Sequence, residues 1–132
     1  MKKKIIVVTE DGSHTLFFPE LNEHYHSVHG AVAESMHVFI EAGLRTKLND
    51  CQPVNVLEVG LGTGLNAALT LVEAENTKTI ISYFAVEPNP LLTEDILQLN
   101  YSDTSGINRM KEVIPAIHEA SRDNEVHISP YF

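Results

Sequence analysis

Three glycines at alternate positions form the segment of this sequence best suited to hold a ligand. They lie in Leu57-Glu58-Val59-Gly60-Leu61-Gly62-Thr63-Gly64-Leu65-Asn66, between an apolar run and a stretch with helical spacing. A backbone without side chains lets a ligand approach closely, and the first N–H groups of a helix can hold an anionic group. The frame Gly62-x-Gly64-x-x-Ala67 also fits the dinucleotide-binding fingerprint, with alanine in the last place. The glycines alone leave the ligand class open, and a tight strand-to-helix turn without a ligand is the plainer interpretation.

Two carboxylates narrow the choice of ligand. Glu87 lies about 20 residues after Gly64, where a carboxylate accepts hydrogen bonds from the ribose hydroxyls of a nucleoside such as NAD or S-adenosylmethionine. Glu58 precedes the first glycine by two residues. A negative charge there would repel a pyrophosphate but attract an ammonium or sulfonium group. The sequence therefore favours a cationic ligand, with Glu58 near its amino group and Glu87 on its ribose.

Most histidines of the chain come early, at His14, His24, His26, His29 and His37. A metal could be held by His26 with His24 or His29, completed by Glu34 or His37. This spacing matches no standard site, so we predict no metal. We expect instead a loop over a pocket mouth, in which imidazoles and a neighbouring tyrosine form hydrogen bonds. Glu34 and His37 are three residues apart and can pair on a helix, although a solvated helix face is the plainer interpretation.

Composition limits the class of protein. The chain has 132 residues and a net charge of −9, from 9 Lys+Arg and 18 Asp+Glu, which predicts one domain and long-range repulsion of a phosphate backbone. The one cysteine, Cys51, excludes an internal disulfide and a Cys-x-x-Cys site, so we expect a reducing, cytoplasmic setting. No apolar run reaches the roughly 18–20 residues of a membrane helix, and we expect neither a membrane span nor a secretory signal.

The elements around the glycines predict a βαβ unit. Residues 54–59 form a short apolar strand, a helix begins near Gly64, and residues 76–78 break that helix. A second apolar strand follows over residues 79–86. Strand, helix and strand in this order are typical of a parallel sheet, and we expect both strands to be buried.

Before this unit, the sequence predicts a hairpin and a helix. Two β-rich runs at residues 5–9 and 14–18 are separated by a turn containing Asp11-Gly12, which is a hairpin signal. Apolar residues then recur at three- and four-residue steps, which predicts one helix over residues 30–48. The positions on its apolar face are Val28, Val32, Met36, Phe39, Ile40 and Leu44.

After the βαβ unit, we expect two helices and the start of a strand. The first helix covers residues 91–99, capped by Thr93 or Asn89, and a polar stretch follows at residues 102–106. The second covers residues 107–122, where Pro115 would kink or divide it. The alternating run at residues 126–132 is typical of the beginning of a strand.

Three motifs occur in order along the chain. The first is Glu23-x-Tyr25-x-Ser27-x-x-Gly30-Ala31-x-x-Glu34-Ser35-x-His37-Val38-Phe39-Ile40, the second is the glycine segment, and the third is Tyr83-x-x-Val86-Glu87-x-x-Pro90-Leu91. Together they resemble the methyltransferase component of MnmC-type tRNA-modifying enzymes. The resemblance can be followed over about residues 9–100.

The resemblance implies S-adenosylmethionine as cofactor and methylation of the aminomethyl group of a modified wobble uridine in tRNA. It implies a cofactor site made of Glu58, Gly60, Gly62, Gly64, Asn66 and Glu87. It implies that three further residues lie near the same pocket: Tyr25, Ser27 and Glu34. The family carries a candidate catalytic carboxylate in an Asp-Gly/Ala-Phe-Ala-Pro loop beyond the fourth strand. This sequence has no such loop, so no catalytic residue is assigned.

We therefore expect an α/β chain that is the N-terminal part of a Rossmann-like, S-adenosylmethionine-dependent methyltransferase fold. Residues 1–50 would be a hairpin and helix extension, and residues 51–132 an incomplete cofactor-binding half. The alternative is a non-catalytic nucleotide- or adenosyl-binding or association module, or an NAD-binding Rossmann domain. Expected partners are tRNA through the complete protein, an oxidase partner, and a second copy through an unpaired sheet edge.

Overall fold

The computed structural model of the chain describes residues 4–48, 52–120 and 123–132. Cys51, most of the predicted polar loop at 49–53 and the proposed boundary between residues 50 and 51 lie outside the described residues. The predicted end of the last helix at Arg122 also lies outside them.

An antiparallel sheet opens the chain. Strands β1 (Ile5–Val8), β2 (His14–Phe18) and β3 (Glu23–His24) pair in that order, with β2 in the centre. The predicted hairpin is confirmed, since Val8 lies opposite His14 and the Thr9 N–H donates to the carbonyl of Ser13 at 2.8 Å. Strand β3 is too short to give a period-two pattern, and the sequence did not predict it.

The helix predicted over residues 30–48 is interrupted. Helix α1 (Ala31–Glu34) continues as a π-helical segment (Ser35–Glu41), and a 3₁₀ turn (Leu44–Thr46) follows. A Cβ atom at Gly43 would lie 2.7 Å from the carbonyl oxygen of Phe39, so the chain leaves the helix where glycine permits close approach. On the predicted apolar face, Val28 is exposed and the other five residues are buried or half-buried.

The βαβ unit is confirmed. Strand β4 (Val54–Val59), helix α2 (Leu65–Thr77) and strand β5 (Ile81–Val86) follow one another, and the two strands pair in parallel. Helix α2 ends as predicted, because Lys78 adopts a left-handed conformation with φ 55°. The molecule is thus a mixed α/β structure with a parallel sheet, similar in this respect to the expected fold class.

Burial in this unit differs from the prediction. Helix α2 is buried on most of its surface, so its predicted apolar side is only part of what it buries. The sheet is not buried on both faces: Leu57, Val59, Phe84 and Val86 are 57–84% exposed. Within the described residues, the core packs only against the opposite face of the sheet, through Val54, Val56, Ile81 and Tyr83.

Three short helices follow β5. Helix α3 (Thr93–Ile96) is shorter than the predicted helix over residues 91–99, and its N-cap is Leu92, with no side-chain cap. The predicted caps Thr93 and Asn89 are therefore wrong. The polar stretch predicted at residues 102–106 is largely helix α4 (Tyr101–Ser105), because its first two residues are buried against the core.

Helix α5 (Met110–Glu119) runs through Pro115 without a break. Proline removes one backbone N–H from the helix, and burial of the apolar face outweighs that loss here. The predicted face is confirmed, since its members are buried: Met110, Val113, Ile114 and Ile117.

The predicted strand at residues 126–132 is wrong. The carbonyl of Phe132 accepts hydrogen bonds from the N–H groups of Ile128 at 2.9 Å and Ser129 at 3.0 Å, so the segment folds into a turn. Its one backbone bond to the parallel sheet joins the Ile81 N–H to the carbonyl of Tyr131 at 2.9 Å. Among the described residues, no helix is both long and apolar enough to cross a membrane.

Candidate functional site

The glycine loop connects β4 to α2 in a left-handed backbone. Gly60, Gly62 and Gly64 have φ values of 89°, 55° and 77°, which side chains rarely adopt. A Cβ atom at Gly62 would lie 2.7 Å from the ring of Tyr25, and one at Gly64 would lie 2.9 Å from Nε2 of His118. A Cβ atom at Gly60 would meet nothing within 4 Å. The loop is therefore closely packed at two glycines and open at the first.

Glu58 places a buried carboxylate at the carboxyl end of β4. It is 8% exposed, and it accepts hydrogen bonds from Asn66 Nδ2 at 3.0 Å and from the Tyr83 hydroxyl at 2.8 Å. Burial raises the pKa of Glu58, and the charge of Glu87 raises it further, while the two hydrogen bonds act in the opposite direction. The Glu58 carboxylate thus already accepts two hydrogen bonds, and a positively charged neighbour would further stabilise its ionised form.

Glu87 follows β5 and reaches back to the glycine loop. Its Oε2 accepts the Gly62 N–H at 2.9 Å, and its Oε1 accepts the Asn89 N–H at 2.7 Å. The carboxyl ends of the two parallel strands are therefore joined through one half-buried carboxylate. This is the edge of a parallel sheet at which ligands bind in open α/β proteins.

A cavity of about 270 Å³ lies beside the loop. Six of the predicted site residues line it, namely Tyr25, Glu34, Glu58, Gly60, Gly62 and Asn66. The other three do not: Ser27, Gly64 and Glu87. Ser27 lies next to it and donates its N–H to Glu34 Oε2 at 2.8 Å, so it positions a lining residue.

Five lining residues were outside the predicted set of site residues: His26, Ser35, Val38, Phe39 and Leu61. His26 belongs to the loop that was expected over a pocket mouth. Leu61 lies within the glycine segment and His26 beside Tyr25, so proximity in sequence was the available signal. Val38 and Phe39 lie in the π-helical segment, each four residues after another lining residue, Glu34 and Ser35. That spacing is also the one that places side chains on one face of a helix, so the helical pattern was the available signal.

The cavity is lined by acidic and neutral groups. In the part of the chain that the structure describes, its lining residues include Glu34 and Glu58 but no lysine or arginine. Burial, together with the charges of Glu87 and Asp95, raises the pKa of Tyr25 to about 12, so its phenol stays neutral. Burial lowers the pKa of His26, although the charge of Glu34 acts in the opposite direction. The lowered pKa favours the neutral imidazole. The site therefore suits a ligand that carries positive charge or hydrogen-bond donors.

The early histidines do not converge. In the described ranges, no group of three or more His, Cys, Asp or Glu side chains is placed to hold a metal ion. His24 stacks on Phe17, with ring centroids 4.5 Å apart. The predicted pairing of Glu34 with His37 is wrong, because Glu34 binds the Ser27 N–H while His37 lies 3.7 Å from Glu41.

His118 is a neighbour of the loop that the sequence did not indicate. From α5, its Nε2 lies 3.0 Å from the carbonyl oxygen of Thr63, which requires the ring N–H to donate. Burial lowers the pKa of His118, while that hydrogen bond and the charge of Glu87 oppose the change. A tertiary contact across 55 residues leaves no local pattern in the sequence.

Comparison with known proteins gives curated relatives that share one name. No protein-family model matches the sequence. The chain is 31% identical over 91 residues to the tRNA 5-methylaminomethyl-2-thiouridine biosynthesis bifunctional protein MnmC of Burkholderia multivorans. It is 32% identical over 95 residues to the protein of the same name from Burkholderia mallei. These matches cover 66% and 69% of this chain but 14% of each relative.

The fold is similar to a solved structure of related name. The crystal structure of MnmC2 from Aquifex aeolicus matches with a TM-score of 0.61 and 29% sequence identity. The match covers 70% of this chain and 32% of the Aquifex chain.

These comparisons correct the main functional prediction, that of an S-adenosylmethionine-dependent methyltransferase acting on tRNA. The curated relatives are named as bifunctional proteins, and the matched segment is a minor part of each of them and of the MnmC2 chain. The names of these relatives do not say that the matched segment transfers a methyl group. The comparisons favour the alternative prediction, a non-catalytic nucleotide- or adenosyl-binding or association module, or an NAD-binding Rossmann domain.

The resemblance to MnmC-type enzymes is itself confirmed, since the chain is about 31% identical to relatives of that name over about two thirds of its length. Over that part of its length, this chain belongs to the MnmC family of tRNA 5-methylaminomethyl-2-thiouridine biosynthesis proteins.

Proposed function

We propose that this chain is an adenosyl-ligand-binding module of the MnmC family. The observation that carries the proposal is the convergence of two carboxylates on the glycine loop. Glu58 lies buried at the end of β4, and Glu87 hydrogen-bonds to the Gly62 N–H from the end of β5. The nearby cavity of about 270 Å³ supplies the space in which a ligand can lie.

The ribose would be bound by Glu87. Each oxygen of an ionised carboxylate has about two acceptor positions, and each Glu87 oxygen uses one of them for a backbone N–H. Acceptor capacity therefore remains for ribose hydroxyls. Glu58 would face the charged arm of the ligand. Burial raises the pKa of Glu58 and the charge of Glu87 adds to this, so a cationic group beside the carboxylate would stabilise its ionised form.

S-adenosylmethionine is the ligand that we propose, since it combines a ribose with ammonium and sulfonium charges. FAD and NAD also carry an adenosine, but each brings a pyrophosphate into a cavity lined by Glu34 and Glu58. In this proposal, Gly60, Gly62, Gly64 and Asn66 form the rest of the cofactor site, and Tyr25, Ser27 and Glu34 lie on the side of the substrate pocket.

The wider assignments follow the family name. We propose that the module has a role in tRNA modification within a larger assembly, that the parallel sheet is half of a Rossmann-like fold, and that the chain works in the cytoplasm. An oxidase partner and a dimer through the sheet edge remain predictions. No residue is assigned a catalytic role.

Calorimetric titration of the chain with S-adenosylmethionine, FAD and NAD tests the proposal. We expect heat from S-adenosylmethionine, and about a tenfold weaker affinity in Glu58→Gln, since that substitution removes the charge facing the cationic arm. Glu112→Gln, an exposed position on α5, changes net charge equally and should leave affinity unchanged. Binding of FAD or NAD without binding of S-adenosylmethionine would contradict the cationic ligand, and binding of none would contradict the module itself.

A further inference from the structure

One backbone N–H of the glycine loop that could donate to a phosphate is already bound to a side chain of the protein. Backbone N–H groups of such loops attract anions in nucleotide-binding proteins. Here the Gly62 N–H donates to Glu87 Oε2 at 2.9 Å, and the Asn89 N–H donates to Oε1 of the same carboxylate at 2.7 Å. The anion held at this point is therefore Glu87.

The surroundings oppose exchange of this carboxylate for a phosphate. A phosphate at the Gly62 N–H would have to displace the charge-assisted hydrogen bond from that N–H to Glu87 Oε2. It would also come to lie near the buried carboxylate of Glu58, whose pKa the charge of Glu87 already raises. The lining of the adjoining cavity includes Glu34 and, over residues 4–48, 52–120 and 123–132, no lysine or arginine to offset the repulsion.

The other side of the same glycine is closed as well. The ring of Tyr25 packs against Gly62, and its Cδ1 lies 2.7 Å from the position that a Cβ atom of Gly62 would have. A group that approaches Gly62 must therefore fit between a tyrosine ring and a carboxylate. An uncharged hydroxyl can donate to that carboxylate, whereas a fully ionised phosphate carries no proton to donate.

We propose that Glu87 is a specificity-determining residue that keeps phosphate groups off the glycine loop, so that the site accepts adenosine ligands without phosphate. This inference rests on the proposed adenosyl-binding function and adds a selection rule to it. The same carboxylate would then have two roles, since it attracts ribose hydroxyls and repels phosphate.

The test uses adenosine and ADP, two ligands that differ only in the diphosphate. Affinities of the whole chain are measured for both, in the wild type, in Glu87→Gln and in the control Glu112→Gln. We expect the wild type to bind adenosine at least tenfold more tightly than ADP. In Glu87→Gln, the affinity for ADP relative to adenosine should rise about tenfold, because the amide carries no charge. A lost ribose contact would weaken both ligands and leave their ratio unchanged.

An unchanged ratio in Glu87→Gln, or an equal rise in Glu112→Gln, would overturn the inference. Urea unfolding of each variant shows whether it is folded. If Glu87→Gln is not folded, the wild-type affinities alone test the inference. Equal affinity of the wild type for ADP and adenosine also overturns it. Failure of the proposed function gives a different result, in which the wild type binds neither adenosine nor S-adenosylmethionine.

Discussion

Single residues in the glycine loop differ in why they must be glycine. Gly62 and Gly64 combine a left-handed backbone with a neighbour that leaves no room for a Cβ atom. Gly60 has the backbone requirement alone. A side chain at Gly60 would therefore cost conformational energy only, whereas one at Gly62 must also displace the ring of Tyr25.

Alanine at Gly62 should be more destabilising than alanine at Gly60. We expect Gly60→Ala to lower the free energy of unfolding by about 1 kcal/mol and Gly62→Ala by about 2–3 kcal/mol. Urea unfolding followed by circular dichroism measures both values. Equal losses in the two variants would show that the Tyr25 ring does not restrict the loop.

Asp11 joins the hairpin turn to α1. Its Oδ1 accepts hydrogen bonds from the Thr9 hydroxyl at 2.8 Å and the Ser13 N–H at 2.9 Å. Its Oδ2 accepts the Ala33 N–H at 2.8 Å, in the first turn of the helix. Burial raises the pKa of Asp11, but these bonds, with one from the Ser13 hydroxyl, outweigh it and lower the pKa to about 2.

The stability that Asp11 contributes should depend on pH. Its folded pKa of about 2 lies below the ordinary value of 3.8, so the contribution is complete above about pH 4 and is lost as the pH falls towards 2. We expect Asp11→Asn to lower the free energy of unfolding by about 1 kcal/mol at neutral pH. The difference between wild type and variant should shrink in acid, as measured by urea unfolding. A difference independent of pH would contradict this role for the charge.

Among the elements of the described residues, the parallel sheet is the one with an apolar face that no other element covers. Parallel sheets usually have both faces covered, but here Leu57 and Phe84 lie opposite each other on an exposed face, 70% and 59% exposed. Val59 and Val86 form the next pair, 84% and 57% exposed. The predicted dimer uses the unpaired edge of this sheet, and the exposed face adjoins that edge.

Polar substitution on this face should alter association more than stability. In the double variant Leu57→Thr and Phe84→Thr, both side chains are already largely exposed, so the free energy of unfolding should change by less than about 1 kcal/mol. Threonine retains the preference for a strand. Sedimentation velocity should show less self-association than in the wild type.

The matched control is Leu71→Ala in α2, where a fully buried side chain should cost about 2–5 kcal/mol. If the threonine variant loses as much stability as this control, the face is covered in solution. If the wild type is monomeric at every concentration, the predicted dimer is wrong.

At the scale of the whole molecule, charge sets what the chain can approach. A net charge of −9 repels a polyanion at distances beyond direct contact. Among the described residues, the cavity lining adds two glutamates and no lysine or arginine to that field. If the module acts in tRNA modification, the basic surface that binds tRNA should belong to another part of the assembly.

The chain alone should therefore bind tRNA weakly. We expect no saturation of labelled tRNA at micromolar concentrations of the chain and about 0.15 M salt, measured by fluorescence anisotropy. Tight binding that weakens steeply with salt would contradict this expectation and would reveal a local basic patch.

Local structure followed from the sequence wherever a short segment carries its own signal. The Asp11-Gly12 turn, the apolar run before Gly60 and the helix after Gly64 each depend on neighbouring residues, and each is present. The glycine and acidic motifs likewise indicated the edge of the sheet at which Glu58 and Glu87 meet. The turn, the strand and the helix are each set within about ten residues of the chain.

Tertiary packing decided the rest, because it acts between residues that are distant in sequence. It turned the middle of the first helix into a π-helical segment and brought Val38 and Phe39 to the cavity. It also bound Glu87 to the Gly62 N–H across 25 residues. The sequence by itself determined which groups can meet a ligand, whereas the fold decided that one carboxylate already occupies the anion position, since hydrogen bonds form according to distance in space.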